Sequence, residues 1–412
     1  MLSIVMPSFN HEEFLAEAVE SVFDRAHAPL ELVVIDGGST DGTQSRLAEL
    51  AGRWPGRLRW KSAPDSGPAA AVNLGVREAR GEVVGWLNAD DKYAAGALTR
   101  AVRHLQARPD QVMVYGEAEH IAASGRVLSR YPTASPSEAL EDFTAGCFIC
   151  QPSVFFRRQT FLELGGLDET LSASFDFDLW LRMFLAFPNA IGFIPEVMAY
   201  SRLHANTITA RQRDTVALEG LKVLRRHLNV APPDWLFTRV AERCHEHPFN
   251  PPQTCLRTAL ESLVTRAAPW LDDAGMAMVR ERIAADRSIA LATPELFATV
   301  WPDAWADALI EIRVLQPTIP ATFLRLQGHY EHPNGAATRL EALAPDGDKR
   351  QLELRYPGSF EWLLPLSDAR PGARIVYRIS ANRSFVPADC DPASTDQRSL
   401  SWQLYAVELI RA

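Results

Sequence analysis

Trp86-Leu87-Asn88-Ala89-Asp90-Asp91-Lys92 sets an amide and two adjacent carboxylates directly after the apolar run Gly81-Glu82-Val83-Val84-Gly85. Such a run reads as a short buried strand. A strand that ends on hard oxygen donors delivers them to its C-terminal edge, where open α/β sheets bind ligands. Two neighbouring carboxylates repel unless a cation lies between them, and an oxygen-only donor set suits Mg2+ or Mn2+. Asn-Ala-Asp-Asp is also good turn material, so the motif by itself leaves a solvated turn open. Further acids stand at comparable places. Asp36 ends the apolar run Leu30–Ile35 and begins Asp36-Gly37-Gly38-Ser39-Thr40-Asp41-Gly42-Thr43, while Asp176 and Asp178 open a helical pattern in Phe175–Met183. At a helix start a carboxylate serves as a cap worth about 0.5–2 kcal/mol, and Asp178 is read as such a cap. His204 follows the strand pattern Val197–Leu203; a lone histidine there is more often structural than functional.

The elements that position these groups alternate. Leu2–Met6 reads as a strand leaving through Pro7-Ser8-Phe9-Asn10, with Asn10 capping a helix from about His11 to Ala26. Leu30–Ile35 is the next strand, and its glycine-rich exit leads to a helix over about 43–54. Leu58–Ser62 is a third strand, followed by Pro64-Asp65-Ser66-Gly67 and a helix through Asn73, Gly75 and Ala79. The fourth strand ends at Asn88. Repeated βα units predict a mostly parallel, doubly wound sheet, which places Asp36 and Asp90/Asp91 on one edge. A dinucleotide fold would want G-x-G-x-x-G after the first strand, where Pro-Ser-Phe-Asn stands instead, and no Walker A pattern occurs. Further on come a helix over about 94–107, a strand at Gln111–Tyr115, a hairpin turning at Ser124-Gly125, and Gln151-Pro152-Ser153 before another apolar strand.

At 412 residues the chain is long enough for two or three domains. A net charge of −9 argues against a general nucleic-acid binder, which needs a basic face. The chain starts directly in a strand, so no leader peptide is expected, and no apolar run approaches the roughly 18 residues of a spanning helix. Five cysteines at 147, 150, 244, 255 and 390 read as free thiols of a reducing compartment. Cys147-Phe148-Ile149-Cys150 lacks the second pair of a zinc site. Cys244-His245-Glu246-His247, lying among Pro248, Pro251 and Pro252 with Cys255 beyond, reads as a surface loop.

Taken together and in order, the motifs resemble an inverting GT-A-fold nucleotide-sugar glycosyltransferase of family 2. The resemblance rests on Ser3–Asn10, Val33–Thr43, Asp65-Ser66-Gly67 with Asn73-Leu74-Gly75, and Gly81-Glu82 through Asp91. It continues with Gln151-Pro152-Ser153, Gly165-Gly166-Leu167-Asp168-Glu169, Asp176–Arg182 and Arg202-Leu203-His204, covering residues 1 to about 210. It implies that Asp36 and the Pro7, Ser8 and Asn10 loop hold the nucleoside, with Asp65 and Asn73 also on the donor. Asn88 and Asp90 would contact ribose and diphosphate, and Asp90, Asp91 and His204 would hold Mn2+ or Mg2+. Asp176 would be the base that activates the acceptor. The implied donor is a UDP- or dTDP-sugar and the implied acceptor a glycan or lipid-linked glycan. The implied setting is cytoplasmic, with peripheral contact at the inner face of the membrane. Many relatives carry a second acid where this chain has Gly37, and an acid where it has Ala70. Those departures keep two rivals in view, a weakened nucleotide-sugar-binding homologue and a glycan-binding or scaffold subunit.

Residues 211–315 read as a helical extension, with Arg211–Leu228 amphipathic. From 316 to 412 the pattern alternates in Phe323–Leu326, Gln351–Leu354, Arg374–Ile379 and Ser401–Ile410, separated by Pro345-Asp346-Gly347 and Arg370-Pro371-Gly372. This predicts a small antiparallel β-sandwich, and it resembles β-modules appended to bacterial polysaccharide-assembly enzymes. Trp362, Tyr377 and Trp402 are read as core residues rather than a glycan-stacking platform.

Overall fold

Strands β1 (Leu2–Ser8) and β2 (Leu30–Asp36) are buried along their whole length, as strands covered on both faces must be. They pair in parallel with Ser8 opposite Asp36. Helices α1 (Glu12–Phe23), α2 (Thr43–Arg53) and α3 (Pro68–Glu78) are the crossovers that let β3 (Leu58–Ser62) and β4 (Val83–Trp86) join the same parallel group. Gly75 allows α3 to lie close on β1, since a Cβ there would stand 2.4 Å from Val5 Cγ1. Next come β5 (Lys92–Tyr93), α4 (Ala97–Ala107), the hairpin β6 (Met113–Ala122) and β7 (Val127–Arg130), and α5 (Ala139–Ala145). They are followed by β8 (Phe155–Arg157), α6 (Arg158–Glu163), α7 (Phe175–Ala186), β9 (Ile191–Leu203), α8 (Ile208–Arg211) and α9 (Arg213–Leu228). The computed structural model describes all residues except 24–28, 137–138, 250–254, 302, 391–392 and 412. It forms two compact units, Met1–Trp235 and Leu236–Ala412.

The first unit is a mixed sheet in the order β3-β2-β1-β4-β8-β6-β9-β5, with β7 beside β6. β8 runs antiparallel to β4 and β6, whereas β6 and β9 are parallel, so a parallel half is joined to a mixed half, where the repeated βα units predict a mostly parallel sheet throughout. Alternation along β1 separates two cores. Val5 faces one with Val72, Trp86, Phe156, Phe177 and Trp180, while Ile4 and Met6 face the other with Leu15, Val19 and Leu98. α9 gives Val223 and Leu224 to the first of these cores.

Some local expectations are corrected. α1 starts at Glu12, and the expected end at residue 26 lies outside the described residues. Asn10 does not cap it: its φ is 55° and its Oδ1 accepts from Thr40 N at 2.9 Å. Asp41 takes that place from across the loop, Oδ2 accepting from Glu12 N at 3.3 Å. The sequence pattern also hid β5 inside the acidic motif and split β6, a single ten-residue strand, into two pieces.

From residue 234 the chain runs through α10 (Asp234–Glu246), α11 (Leu256–Ala267), α12 (Asp273–Ala285) and α13 (Arg287–Leu291). Strands β10 (Leu296–Ala298), β11 (Trp305–Asp307) and β12 (Leu309–Leu315) follow, all before residue 316. Then come β13 (Phe323–Tyr330), β14 (Thr338–Leu343), β15 (Lys349–Leu354), β16 (Gly358–Pro365), β17 (Arg374–Ala381), α14 (Pro387–Cys390) and β18 (Leu400–Ile410). They make two antiparallel sheets, β10-β12-β17-β14-β15 and β11-β18-β13-β16. The sheets share one core, with Ile312, Leu340 and Tyr377 from the first and Leu326, Trp362 and Trp402 from the second. Trp362, Tyr377 and Trp402 are therefore interior residues, as read from the pattern. The expected loop at Cys244–His247 is instead the last turn of α10, with His247 buried behind it, while Pro251 and Pro252 lie outside the described residues. All five cysteines are free thiols. Among the described residues no helix is long and apolar enough to cross a membrane.

Candidate functional site

The tips of β1, β2 and β4 are level: Ser8 pairs with Asp36, and Leu87 N donates to Val5 O at 3.0 Å. The carboxyl of Asp36 is fully buried. It accepts from Ser39 N at 2.9 Å, from Ser39 Oγ, and from Ser62 Oγ at 2.6 Å. Ser39 Oγ in turn accepts from Asn10 N at 2.8 Å. Asp36 thus shapes the loop over 36–43 and, through Ser39 and Asn10, stitches it to the Pro7–Asn10 loop. Ser8 Oγ is buried without a hydrogen-bond partner among the described residues. Asp65 stands exposed above this floor, its Oδ1 accepting from Gly67 N at 2.9 Å. A Cβ on Gly37 would lie 3.1 Å from that same oxygen, so the carboxylate of Asp65 occupies the direction in which an acid at position 37 would project.

Asn73 is not brought to this edge. Its amide donates to Leu167 O at 3.0 Å and Glu169 Oε1 at 2.8 Å, and its Oδ1 accepts from Leu167 N at 2.8 Å. It ties α3 to the Gly165–Glu169 turn and is buried there.

The acidic motif is held from both sides. Trp86 Nε1 donates to Asn88 Oδ1 at 3.0 Å, and Asn88 Nδ2 donates to Gln151 Oε1 at 3.0 Å and Asp91 Oδ2 at 3.3 Å. Gln151 closes the ring by donating to Trp86 O at 2.6 Å. Asp91 turns inward, its Oδ1 accepting from Arg202 N at 2.7 Å. Burial and then the charge of Asp90 push the Asp91 carboxyl well above its ordinary range. The buried Arg202 guanidinium donates to Asp90 O at 2.7 Å, Ala123 O at 2.8 Å and Glu17 Oε2 at 2.6 Å. Asp90 faces the other way. Its Oδ2 lies 3.0 Å from His204 Nε2 and 3.7 Å from His11 Nε2. Burial works against its charge, but the His204 hydrogen bond and the nearby His11 hold it below the usual carboxylate range.

Asp176 lies in the first turn of α7, beside Phe175, which stacks on Trp86 at 5.8 Å. Its Oδ1 accepts from Phe177 N at 2.7 Å, yet burial outweighs this and raises it to about 6. The thiol of Cys150 is raised by burial and by the charges of both Asp91 and Asp176, which gather around it next to Gln151. The acidic motif and Asp176 are therefore brought to one neighbourhood. Asp178 is not the expected cap. It is 1% exposed, accepting from Arg182 Nε at 2.8 Å and lying 2.8 Å from His227 Nε2.

Among the described residues no group of three or more His, Cys, Asp or Glu side chains could hold a metal ion. A cation that draws most of its ligands from substrate phosphates needs only one or two from the protein. Asp90 and His204 supply that number, a carboxylate and an imidazole facing each other, and this fits Mn2+ or Mg2+ bound together with a diphosphate. Both oxygens of Asp91 are already held by protein donors. Arg202, Gln151 and His11 are site residues to which sequence reasoning gave no role. Arg202 and Gln151 each stood inside a motif, but their partners are distant in the chain, whereas His11 carried no local signal.

Residues 3–165 match the family model for glycosyl transferase family 2. An uncharacterized glycosyltransferase of Rickettsia prowazekii is 26% identical over 220 residues, which are 51% of this chain and 66% of that protein. An O-antigen biosynthesis protein of Myxococcus xanthus is 28% identical over 55% of this chain but only 18% of its own length. This chain thus spans less than two thirds of either relative. Among solved structures, Staphylococcus aureus TarS in complex with UDP-GlcNAc is 14% identical, with a TM-score of 0.46 over 69% of this chain and 91% of that one.

Proposed function

We propose that this protein, whose residues 3–165 match the family model for glycosyl transferase family 2, transfers a sugar, with inversion, from a UDP- or dTDP-sugar to a glycan or lipid-linked acceptor of a bacterial surface polysaccharide. The nucleoside lies between the Pro7–Asn10 loop and the 36–43 loop that Asp36 shapes. Asp65, standing over Gly37, supplies the acceptor for the base that position 37 lacks. Asn88 and Asp90 face the ribose and diphosphate, with His204 beside them. Mn2+ or Mg2+, when bound at Asp90 and His204, offsets the negative charge that grows on the leaving diphosphate. Arg202 acts one layer back by holding the backbone carbonyl of Asp90, and Asp91 by anchoring the Arg202 N–H.

Asp176 takes the proton of the acceptor hydroxyl as that oxygen attacks the anomeric carbon from the face opposite the diphosphate. A carboxyl that titrates near 6 is ionised at neutral pH yet more basic than an ordinary aspartate, which suits a general base. Trp86 and Phe175, both buried and stacked on each other, join the acidic motif to the first turn of the helix that carries this base.

The observation that carries this reading is the division of labour among three acids: Asp90 held charged at two imidazoles, Asp91 turned inward, Asp176 raised toward neutrality. Calorimetry with UDP and dTDP, with and without Mn2+, tests it. Asp90→Ala is expected to lose at least tenfold in Mn2+-dependent nucleotide affinity, while Asp176→Asn binds as the parent does. Equal binding by Asp90→Ala would overturn the proposal.

A further inference from the structure

Three consecutive backbone N–H groups precede the helix that carries Asp176, and all three point at one carboxylate. Ser172 N donates to Glu219 Oε1 at 2.8 Å, and Ala173 N and Ser174 N both donate to Glu219 Oε2 at 2.9 Å. Ser174 adds a side-chain bond of 3.3 Å to Val216 O, one turn earlier on α9. The N-cap of α7 is Ser174 itself, but its side chain makes no cap bond within the helix. A helix start leaves its first N–H groups without intrahelical partners, and here a second helix satisfies the approach to that start.

The same pair of helices is joined again farther along. Asp178 lies 2.8 Å from His227 Nε2, and Arg226 Nη1 reaches Asp168 Oδ2 at 2.7 Å in the turn before α7. Val216, Glu219, Val223 and the Arg226–His227 pair recur at helical spacing, so one face of α9 runs along α7. Between the two polar joints Val223 and Leu224 share a core with Phe175 and Phe177, which flank Asp176. Asp176 itself receives no side-chain hydrogen bond from the described residues; only backbone N–H groups hold its carboxylate. Its direction is therefore set by where the first turn of α7 lies, and that turn is fastened by Glu219.

We propose that Glu219 is the positioning residue for the base Asp176, so that α9, which lies beyond the residues matching the family model, is part of the catalytic machinery. This rests on Asp176 being the base. Glu219 touches no reacting atom; it acts by fixing the three peptide units that lead into the turn bearing the carboxylate. Displacing a reacting group by about 1 Å can cost on the order of a hundredfold in rate.

The test uses the full chain and a panel of UDP- and dTDP-sugars. Release of nucleoside diphosphate is measured with Mn2+, and UDP affinity by calorimetry, for Glu219→Ala, Glu219→Gln, Asp176→Asn and the double variant Asp176→Asn/Glu219→Ala. Glu219→Ala is expected to lower kcat by about 10- to 100-fold while KM for the sugar donor and UDP affinity stay within about twofold. Glu219→Gln keeps one carbonyl oxygen, enough for the two bonds that share Oε2, and should recover part of the rate. Because Glu219 works through Asp176, the double variant should be no slower than Asp176→Asn alone. A general loss of structure would instead lower UDP affinity with kcat and make the double variant slower still, and either result overturns the proposal. So does unchanged kcat in Glu219→Ala while Asp176→Asn is inactive. Full activity in Asp176→Asn, or no donor turnover by the parent chain, would remove the parent reading and this one with it.

Discussion

Replacing Asp176 by Asn should make the protein slower and more stable at once, and the stability gain should depend on pH in a stated way. Burial raises this carboxyl from an ordinary 3.8 to about 6. Below pH 3.8 both the folded and the unfolded chain carry it protonated, and it has no pH-dependent effect. Between 3.8 and about 6 the unfolded chain releases the proton while the folded chain keeps it, so stability falls as pH rises through that window. Above about 6 both forms are ionised and the loss is complete. At 1.36 kcal/mol for each pKa unit the full loss is about 3 kcal/mol, and partial solvent access to the carboxyl brings the expectation to about 2 kcal/mol. Asn has nearly the same shape, keeps an oxygen for the Phe177 N–H bond and never ionises. Urea unfolding of parent and Asp176→Asn at pH 4, 5, 6, 7 and 8 should therefore show curves that nearly coincide at pH 4 and separate to about 2 kcal/mol by pH 7. Donor turnover by the parent should climb with an apparent pKa near 6, while the variant falls by about 10²–10⁴ at neutral pH. A variant that is no more stable at pH 8 than at pH 4, relative to the parent, would refute the claim that Asp176 is held in a desolvated and costly state.

Asn73→Ala should cost about 2–4 kcal/mol in urea unfolding, because two buried hydrogen bonds and one half-buried hydrogen bond to the Gly165–Glu169 turn are lost, and UDP affinity should remain within about twofold. A large loss of nucleotide affinity with unchanged stability would return Asn73 to the donor site. Asp178→Ala should destabilise by about 2–4 kcal/mol, since it removes a buried carboxylate that both the Arg182 guanidinium and His227 lean on, although Arg182 keeps its bonds to Leu164 O and Gly166 O. A helix cap would lose only about 1 kcal/mol, so equilibrium unfolding separates the two roles of that acid.

The distinction matters because both acids and the amide look alike in the chain. Asp36, Asn73 and Asp178 each stand in a motif that also suits a ligand or a cap, and each is instead turned inward, Asp36 by Ser39 and Ser62, the other two by partners far along the sequence. For Asn73 the deciding groups are Leu167 and Glu169, 94 and 96 residues away. For Asp178 they include His227, 49 residues away. Asp90 and Asp91 are adjacent, yet Arg202 and His204 sort them into an inward acid and an outward one.

Local patterning was sufficient to establish the alternating βα order, the edge of the sheet where the acids gather and the antiparallel module at the end of the chain. Each of these follows from the period of apolar residues and from turn chemistry, and both act over a few residues. It could not decide which way each acid faces or what shifts its proton affinity. Those properties depend on burial and on charges contributed by β9, α7 and α9, groups that meet only when the sheet has formed and the helices have packed against it.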